Sequence, residues 1–180
     1  VIESFRRLLK ARPYGKVRLV LKVSGLDISP DIIHQIRDEL GEIKDRVIIF
    51  EQMMTDNEVK NLVRSCDCFV SLHRSEGYGR GPAEAMALGK PVIATGYSGN
   101  MDFMTPEVSC PVGYRLIPLR EGEYPHYVGQ VWAEPDVEEA AAHMIRLMDN
   151  PGKGRALGEK ARMQMKISSS YGSIGLNYKF

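Results

Sequence analysis

Apolar runs of strand length alternate with amphipathic stretches along nearly the whole chain, and turn chemistry separates them. Ile2, Phe5, Leu8 and Leu9 fall at helical spacing from the first residues, so the chain opens inside a helix. With no initiator Met, leader or cleavage site before that helix, it reads as a piece of something longer. Val17 to Val23 reads as a buried strand, broken by Ser24-Gly25-Leu26-Asp27. Ser29 is then expected to cap a helix with Pro30 in its first turn, an inner stripe of Ile32, Ile33, Ile36 and Leu40, and Gly41 as its stop. Val47 to Phe50 reads as a second strand, and Thr55-Asp56-Asn57-Glu58 as a capping box opening a helix that carries Val59, Leu62 and Val63.

Cys68 to Leu72 is the third expected strand, Pro82 to Leu88 a short helix stopped by Gly89, Pro91 to Thr95 a fourth strand and Val112 to Pro118 a weaker fifth. Asp136, with Glu139 three residues on, caps a helix whose Val137, Ala140, Ala141, Met144, Ile145 and Met148 keep helical spacing until Asn150-Pro151-Gly152. Strands that alternate with helices imply an α/β fold, a doubly wound, mostly parallel sheet of Rossmann-like type covered on both faces. Ligands of such sheets bind in the crevice beyond the carboxyl ends of the strands. The loops after Val23, Phe50, Leu72 and Thr95 are therefore where chemistry is to be sought.

Composition narrows the classes. At 180 residues the chain is one domain that can bury a core without disulfide or metal staples. Its 24 Lys and Arg nearly cancel 23 Asp and Glu, which argues against a disordered tail and against nucleic acid as a partner. Cys66, Cys68 and Cys110 are an odd count, which fits a reducing compartment; Cys66-Asp67-Cys68 has no partner pair for zinc and reads as buried thiols. His34, His126 and His143 have no metal-like spacing. No apolar run of 18 residues is present. In the last thirty residues Lys153, Arg155, Lys160, Arg162, Lys166 and Lys179 stand against Glu159 alone, a net of +5. That reads first as a solvated terminal helix and second as a peripheral contact with an anionic membrane or phosphate.

The informative stretch runs from Ser71 to Pro91. A strand enters a loop with Gly77, Gly79 and Gly81, and the loop enters a helix expected to begin at Pro82. Glycines let main-chain N–H groups approach a ligand, and a helix start adds free donors with partial positive charge, so the loop reads as a cradle for phosphate or sugar oxygens. Its Gly-x-Gly-x-Gly spacing is neither the dinucleotide fingerprint nor a Walker loop. Glu76 and Glu84 flank the cradle eight positions apart. Carboxylates beside a phosphate would repel it, so they suit neutral hydroxyls, as on a ribose or hexose.

Glu76-x7-Glu84 followed by Ala85-Met-Ala-x-Gly-x-Pro-Val-Ile-Ala94 resembles the donor-site signature of the retaining group 1 glycosyltransferases of GT-B fold. Cys68 to Leu72 before it, Ser98-Gly99-Asn100 after it and Trp132-Ala133-Glu134-Pro135-Asp136 further on match as well, and the likeness covers residues 1 to 165, leaving 166 to 180 as a basic carboxyl-terminal segment. The resemblance implies the nucleotide-sugar-binding, carboxyl-terminal half of an enzyme that transfers a sugar with retention of configuration to a glycan or lipid-linked acceptor, in the cytoplasm and with no metal or other cofactor. Glu84 would bind the ribose hydroxyls, Glu76 would lie at the reacting face of the donor sugar, and the amides of Gly77, Tyr78 and Gly79 would contact sugar hydroxyls and phosphate. Two rivals on the same fold are a sugar-nucleotide epimerase and a nucleotide-sugar-binding module without catalysis.

The chain departs from that family's pattern in reading Glu-Gly-Tyr-Gly-Arg-Gly where many members read Glu-Gly-Phe-Gly-Leu-Pro. Arg80 is thereby a candidate fork of donors for the diphosphate or a solvated loop residue. The family's strand order, 3-2-1-4-5-6, places its first and central strand upstream of Val1, along with a basic pair for the diphosphate and the amino-terminal acceptor domain. The chain is therefore expected either to leave the central slot unfilled or to pair Val17–Val23 directly with Cys68–Leu72, and to bind donor weakly by itself. Lys22, at a strand end facing the crevice, is a candidate phosphate contact beside the plainer reading of a strand-end lysine. His73 and Arg74 are candidates to frame the donor sugar, and Ser98, Gly99 and Asn100 form with Thr95 a loop beside the cradle. Phe50 to Met53 lies where the family places the nucleobase, and Trp132 and Tyr127 read as packing anchors.

Overall fold

The computed structural model describes residues 1–168. Its helices are α1 (Ile2–Ala11), α2 (Ile32–Leu40), α3 (Asp56–Ser65), α4 (Arg80–Ala87), α5 (Val137–Asp149) and α6 (Pro151–Ser168). Its strands are β1 (Leu19–Lys22), β2 (Val47–Phe50), β3 (Phe69–Ser71), β4 (Val92–Thr95), β5 (Cys110–Val112), β6 (Tyr114–Pro118) and β7 (Val131–Pro135). The α/β alternation read from the sequence is present, with a parallel sheet in two parts: β1 pairs β2, and β3, β4 and β5 pair in that order. Among the described residues no strand joins β1 to β3, so the first of the two expected arrangements holds and the order on either side of the break is the one the resemblance implied.

A shared interior bridges the two parts. Phe5 and Leu8 of α1, Leu19 of β1, Ile93 of β4, Cys110 and Val112 of β5 and Ala140 and Met144 of α5 form one buried cluster. On the other face Ala83, Ala85 and Met86 of α4 pack with Val92, Ala94, Phe103, Met104 and with Ala161 and Met165 of α6. Val92, Ile93 and Ala94 are buried on both faces, as a central parallel strand requires. Cys66, Cys68 and Cys110 are free thiols; Cys110 is buried while Cys66 and Cys68, read as buried, are half-buried, and desolvation pushes the pKa of all three up.

Several boundaries differ from the sequence reading. Residues Gly25 to Ser29 close a turn in which the amides of Ile28 and Ser29 donate to the Gly25 carbonyl, so Ser29 is consumed by the turn and α2 starts at Ile32 behind Asp31, with no side-chain cap. Ile32 consequently lies 42% exposed while Ile33 and Leu40 are buried. The Thr55–Glu58 capping box closes reciprocally, as read. Asp136 caps α5 through the amides of Glu138 and Glu139, but Glu139 does not close a box. Its Oε2 instead accepts the Gly113 amide at 2.6 Å and ties α5 to the end of β5.

The expected fifth strand is two strands. Gly113 breaks it: β5 continues the parallel sheet, and β6 turns away to pair antiparallel with β7, in the stretch read as a loop before the late helix. The basic tail is not a merely solvated helix. α6 runs unbroken past residue 165 to Ser168 and buries Gly154, Gly158, Ala161 and Met165, while its lysines and arginines face outward; the rest of the 166–180 segment lies outside the described residues. Close approach of α6 to the end of α4 requires glycine at 158, since a Cβ there would stand 2.0 Å from the Gly89 carbonyl oxygen.

Gly158→Ala should lower stability by roughly 1–3 kcal/mol through this overlap, against the gain of about 1 kcal/mol that Gly→Ala brings inside an exposed helix. Gly152→Ala, in the same helix with nothing within 4 Å of the added carbon, should leave stability unchanged or raised. Urea unfolding midpoints of the two variants check the difference in sign.

Candidate functional site

Three connections meet at the carboxyl edge of the β3-β4-β5 sheet: the turn from β3 to α4, the loop after β4, and the hairpin that follows β5. The β3–α4 turn carries Glu76 to Gly79, and α4 begins two residues earlier than the sequence suggested. Gly79 precedes it in the left-handed region, at φ 84°, where a side chain would be strained and would also meet Asn100 Cβ at 2.8 Å. Gly81 and Pro82 are therefore first-turn residues of α4 and not part of the turn. A proline is tolerated there because that N–H has no partner within a helix. Gly81 serves packing, its Cα facing the Phe69 ring so closely that a Cβ would lie 3.1 Å from Cζ.

The turn is held from the β4 side by main chain. The Glu76 amide donates to Ser98 Oγ at 3.1 Å, the Ser98 hydroxyl donates to the Glu76 carbonyl, and the Gly99 amide donates to the same carbonyl at 3.2 Å. The two backbones pass so closely that a Cβ on Gly99 would stand 1.8 Å from the Gly77 carbonyl oxygen. Ser98 itself sits at φ 80°, ψ −158°, a region of backbone space almost reserved for glycine. Its two hydrogen bonds to Glu76 hold it there.

Below the turn is a closed polar network. His73 Nε2 lies 3.2 Å from the Tyr97 carbonyl and 3.1 Å from Asn100 Oδ1, two acceptors, so it carries the ring proton and Nδ1 accepts from Ser71 Oγ at 3.2 Å. Asn100, fully buried, donates from Nδ2 to the Thr95 carbonyl, and Thr95 Oγ1 donates to the His73 carbonyl at 2.6 Å. His73, Thr95, Ser98, Gly99 and Asn100 thus form the support of the turn. Asn100 and Thr95 support it from within the interior and the backbone of Gly99 from the side, so none of those three presents a side chain to the crevice.

The upper surface of the turn is open. Gly77 and Tyr78 are exposed, the Tyr78 ring rests against Phe103 with centroids 5.1 Å apart, and the amides of Gly77, Tyr78 and Gly79 meet no acceptor among the described residues. With the N-terminus of α4 beside them they form a set of unengaged donors and partial positive charge at the carboxyl edge of the sheet, Gly79 itself being buried. Glu84, on the outer face of α4, is partly exposed and pairs with Arg80 at 3.5 Å across one helical turn. Arg80 is thereby placed against a candidate carboxylate, with 84% of its side chain exposed.

Lys22 is not brought into this group. It ends β1, and its ammonium donates to the Val23 carbonyl and, at 2.6 Å, to Ser24 Oγ. Arg74, two residues before Glu76, turns the other way: it lies 4.6 Å over the Trp132 ring and 2.7 Å from Glu134 Oε2, both on β7, while its carbonyl accepts the Ala133 amide. Trp132 is thus an anchor, as read, but of a strand against the turn. The sequence reading had β6 within its fifth strand but missed β7, whose five residues are too short an alternation to stand out. Among the described residues no group of three His, Cys, Asp or Glu could hold a metal ion, and no helix is long and apolar enough to cross a membrane.

The family model for glycosyl transferases group 1 matches residues 1–164. The chain belongs to that family. No curated protein matches the chain in sequence. Among solved structures, the C-terminal domain of the glycosyl transferase group 1 family protein LpcC from Francisella tularensis superposes with a TM-score of 0.66 at 18% identity, covering 94% of this chain and 77% of that one. HepE from Anabaena, solved with UDP and glucose, gives 0.67 at 17% identity over 92% of this chain and 39% of that one. Sucrose-phosphate synthase from Thermosynechococcus elongatus gives 0.66 at 23% identity, over 98% and 40%. The glycosyltransferase chain therefore has the architecture of a GT-B carboxyl-terminal domain and spans about two fifths of the length of the last two relatives.

If Ser98 is strained and retained for its bonds to Glu76, Ser98→Ala should be less stable than Ser98→Gly, although glycine removes the same hydroxyl. Alanine keeps the unfavourable backbone and glycine relieves on the order of 1 kcal/mol of it. Chemical denaturation of both variants decides the order, and equal stabilities would remove the strain argument.

Proposed function

We propose that this group 1 glycosyltransferase domain binds a nucleotide-sugar donor at the Glu76–Glu84 segment and takes part in transfer of its sugar, with retention of configuration, to a glycan or lipid-linked acceptor. The observation that carries the reading is the turn whose Gly77, Tyr78 and Gly79 amides are unengaged, with Gly77 and Tyr78 exposed, held by Ser98 and Gly99 and flanked by two carboxylates. Amides fixed in this way need no reorganisation as negative charge grows on the departing diphosphate, which is the condition under which they favour the transition state over the ground state. The positive end of α4 adds to the same field.

The carboxylates have the complementary task. Glu84, partly exposed on the first turns of α4 and paired with Arg80 at 3.5 Å, accepts from the ribose hydroxyls. Glu76, whose main chain is held at both N–H and C=O, presents its carboxylate at the reacting face of the sugar, where positive charge develops as the anomeric bond breaks. No cofactor beyond the donor enters this reading. The acceptor side of the cleft, and any contact with the inner face of a membrane in the cytoplasm, belong to a longer protein of which this domain is the donor half. HepE with UDP and glucose, and TarM from S. aureus with UDP and alpha-GlcNAc-glycerol, support the assignment of ligand class.

A calorimetric panel of UDP-, GDP- and ADP-sugars tests donor binding. Glu84→Ala should weaken the preferred donor about ten- to a hundredfold, the loss of a hydrogen bond to a charged acceptor. Glu76→Gln should leave donor affinity within a few-fold and abolish transfer when the acceptor-binding half is present. Free isomerised sugar nucleotide in place of transfer would favour an epimerase, and unchanged turnover in Glu76→Gln would leave a binding module in which Glu76 has no chemical role.

A further inference from the structure

We propose that the β6–β7 hairpin forms a second subsite beside the sugar turn, one that takes an anionic substituent, a phosphate or a carboxylate, carried on the sugar substrate. The proposal rests on the glycosyltransferase reading above and deepens it by naming the charge of the substrate.

The hairpin stands at the carboxyl edge of the sheet because only Gly113 separates the end of β5 from the start of β6. It is fastened to both crevice loops: the Ala133 amide donates to the Arg74 carbonyl at 2.9 Å, and the Tyr114 ring lies 4.9 Å from that of Tyr97. In the antiparallel register Arg115 faces Glu134 and Ile117 faces Trp132, so these four share one face of the ribbon. Arg74 from the sugar turn covers the Trp132 and Glu134 end of that face. Between them is a cleft of about 490 Å³, lined among others by Arg74, Arg115, Ile117, Arg120, Glu123 and Glu134. That volume lies within the roughly 300 to 1,000 Å³ of small-molecule sites.

The charges in the cleft are unequal in number and in engagement. Glu134, the cross-strand neighbour of Arg115, is held by Arg74 at 2.7 Å. Glu123 turns its Oε2 to the main-chain amide of Arg120, closing the hairpin tip. No carboxylate among the described residues pairs with the guanidinium of Arg115 or of Arg120. The same face also buries, without a hydrogen-bond partner, the Trp132 Nε1–H and the Glu134 Oε2, the latter beside the Arg74 guanidinium. Buried donors without partners are rare in native structures, and here they accompany two free guanidinium forks. Arg115 and Arg120 are exposed at the cleft, and a planar or tetrahedral oxyanion satisfies guanidinium forks in bidentate fashion. The apolar Ile117 and Pro118 in the lining suit the carbon face of a sugar ring carrying that oxyanion.

The cleft is distinct from the diphosphate cradle in its donors. The cradle offers main-chain amides at Gly77 to Gly79, the cleft offers side-chain guanidinium groups on a different strand pair. The two should therefore be separable by mutation.

The test is calorimetric titration of the full chain with glucose 6-phosphate, glucuronate, glucose and UDP, repeated with the Arg115→Ala/Arg120→Ala double variant. Trp132, the single tryptophan of the chain, gives an independent fluorescence signal from the cleft. Glucose 6-phosphate or glucuronate should bind and glucose should not, and whichever binds more tightly identifies phosphate or carboxylate as the preferred source of charge. The double variant should weaken that binding at least tenfold and leave UDP affinity within twofold. Arg115→Lys/Arg120→Lys, which keeps charge and loses the fork, should retain only part of it. Equal binding by glucose, an undiminished response in the double variant, or competition between UDP and the sugar anions for one site would overturn the subsite. A chain that fails to bind UDP but keeps an arginine-dependent response to the sugar anions would refute the donor reading and leave the subsite standing.

Discussion

The junction between Glu76 and Ser98-Gly99 is the constraint on which the rest of this domain's site depends. Two connections from adjacent parallel strands must touch backbone to backbone, and they do so at a spacing that excludes any side chain at residue 99. Ser98 accepts a backbone conformation suited to glycine so that its hydroxyl can meet both the N–H and the C=O of Glu76. Glu76 is thereby fixed at its main chain, and the amides of Gly77 to Gly79 that follow it meet no acceptor among the described residues. The polar network beneath them, buried at Thr95 and Asn100 and half-buried at His73, is satisfied, which gives it one arrangement where an apolar filling would allow several.

In the proposed function, rigidity at that point is what lets the amides act on a leaving group. A mobile loop would have to order itself around the diphosphate and would lose in conformational entropy what it gained in hydrogen bonding. The layers behind the site serve the same end. α4, which points its N-terminus into the crevice, is clamped by α6, whose Gly158 lets the two elements approach to main-chain contact at Gly89. Two glycine contacts, at positions 99 and 158, thus hold the turn from the front and the helix from behind.

Much of this was legible because it is local. The strands at Leu19–Lys22, Val47–Phe50, Phe69–Ser71 and Val92–Thr95 announce themselves through apolar runs bounded by turn residues, and Thr55 with Glu58 marks a helix start through a bond spanning three residues. The segment from Glu76 to Ala94 was legible as a motif, and with it the family. What misled was also local. Pro82 suggests a helix start, yet α4 gains its first two residues from the left-handed turn at Gly79, and Ser29 suggests a cap, yet its amide is taken by the Gly25 turn. Val112 to Pro118 reads as one strand because nothing in its composition shows that Gly113 sends the two halves into different sheets.

The sequence by itself determined the periodicities, the caps and the order of chemical groups along the turn, since each of these is set by neighbours within a few residues. Tertiary structure alone decided which of those groups face the crevice. Lys22 is claimed by its own strand end, Arg74 by an indole and a carboxylate some sixty residues away, and Thr95 and Asn100 by the interior. Contacts between residues far apart in the chain carry no local signature, because the chain must first close its loops for them to form.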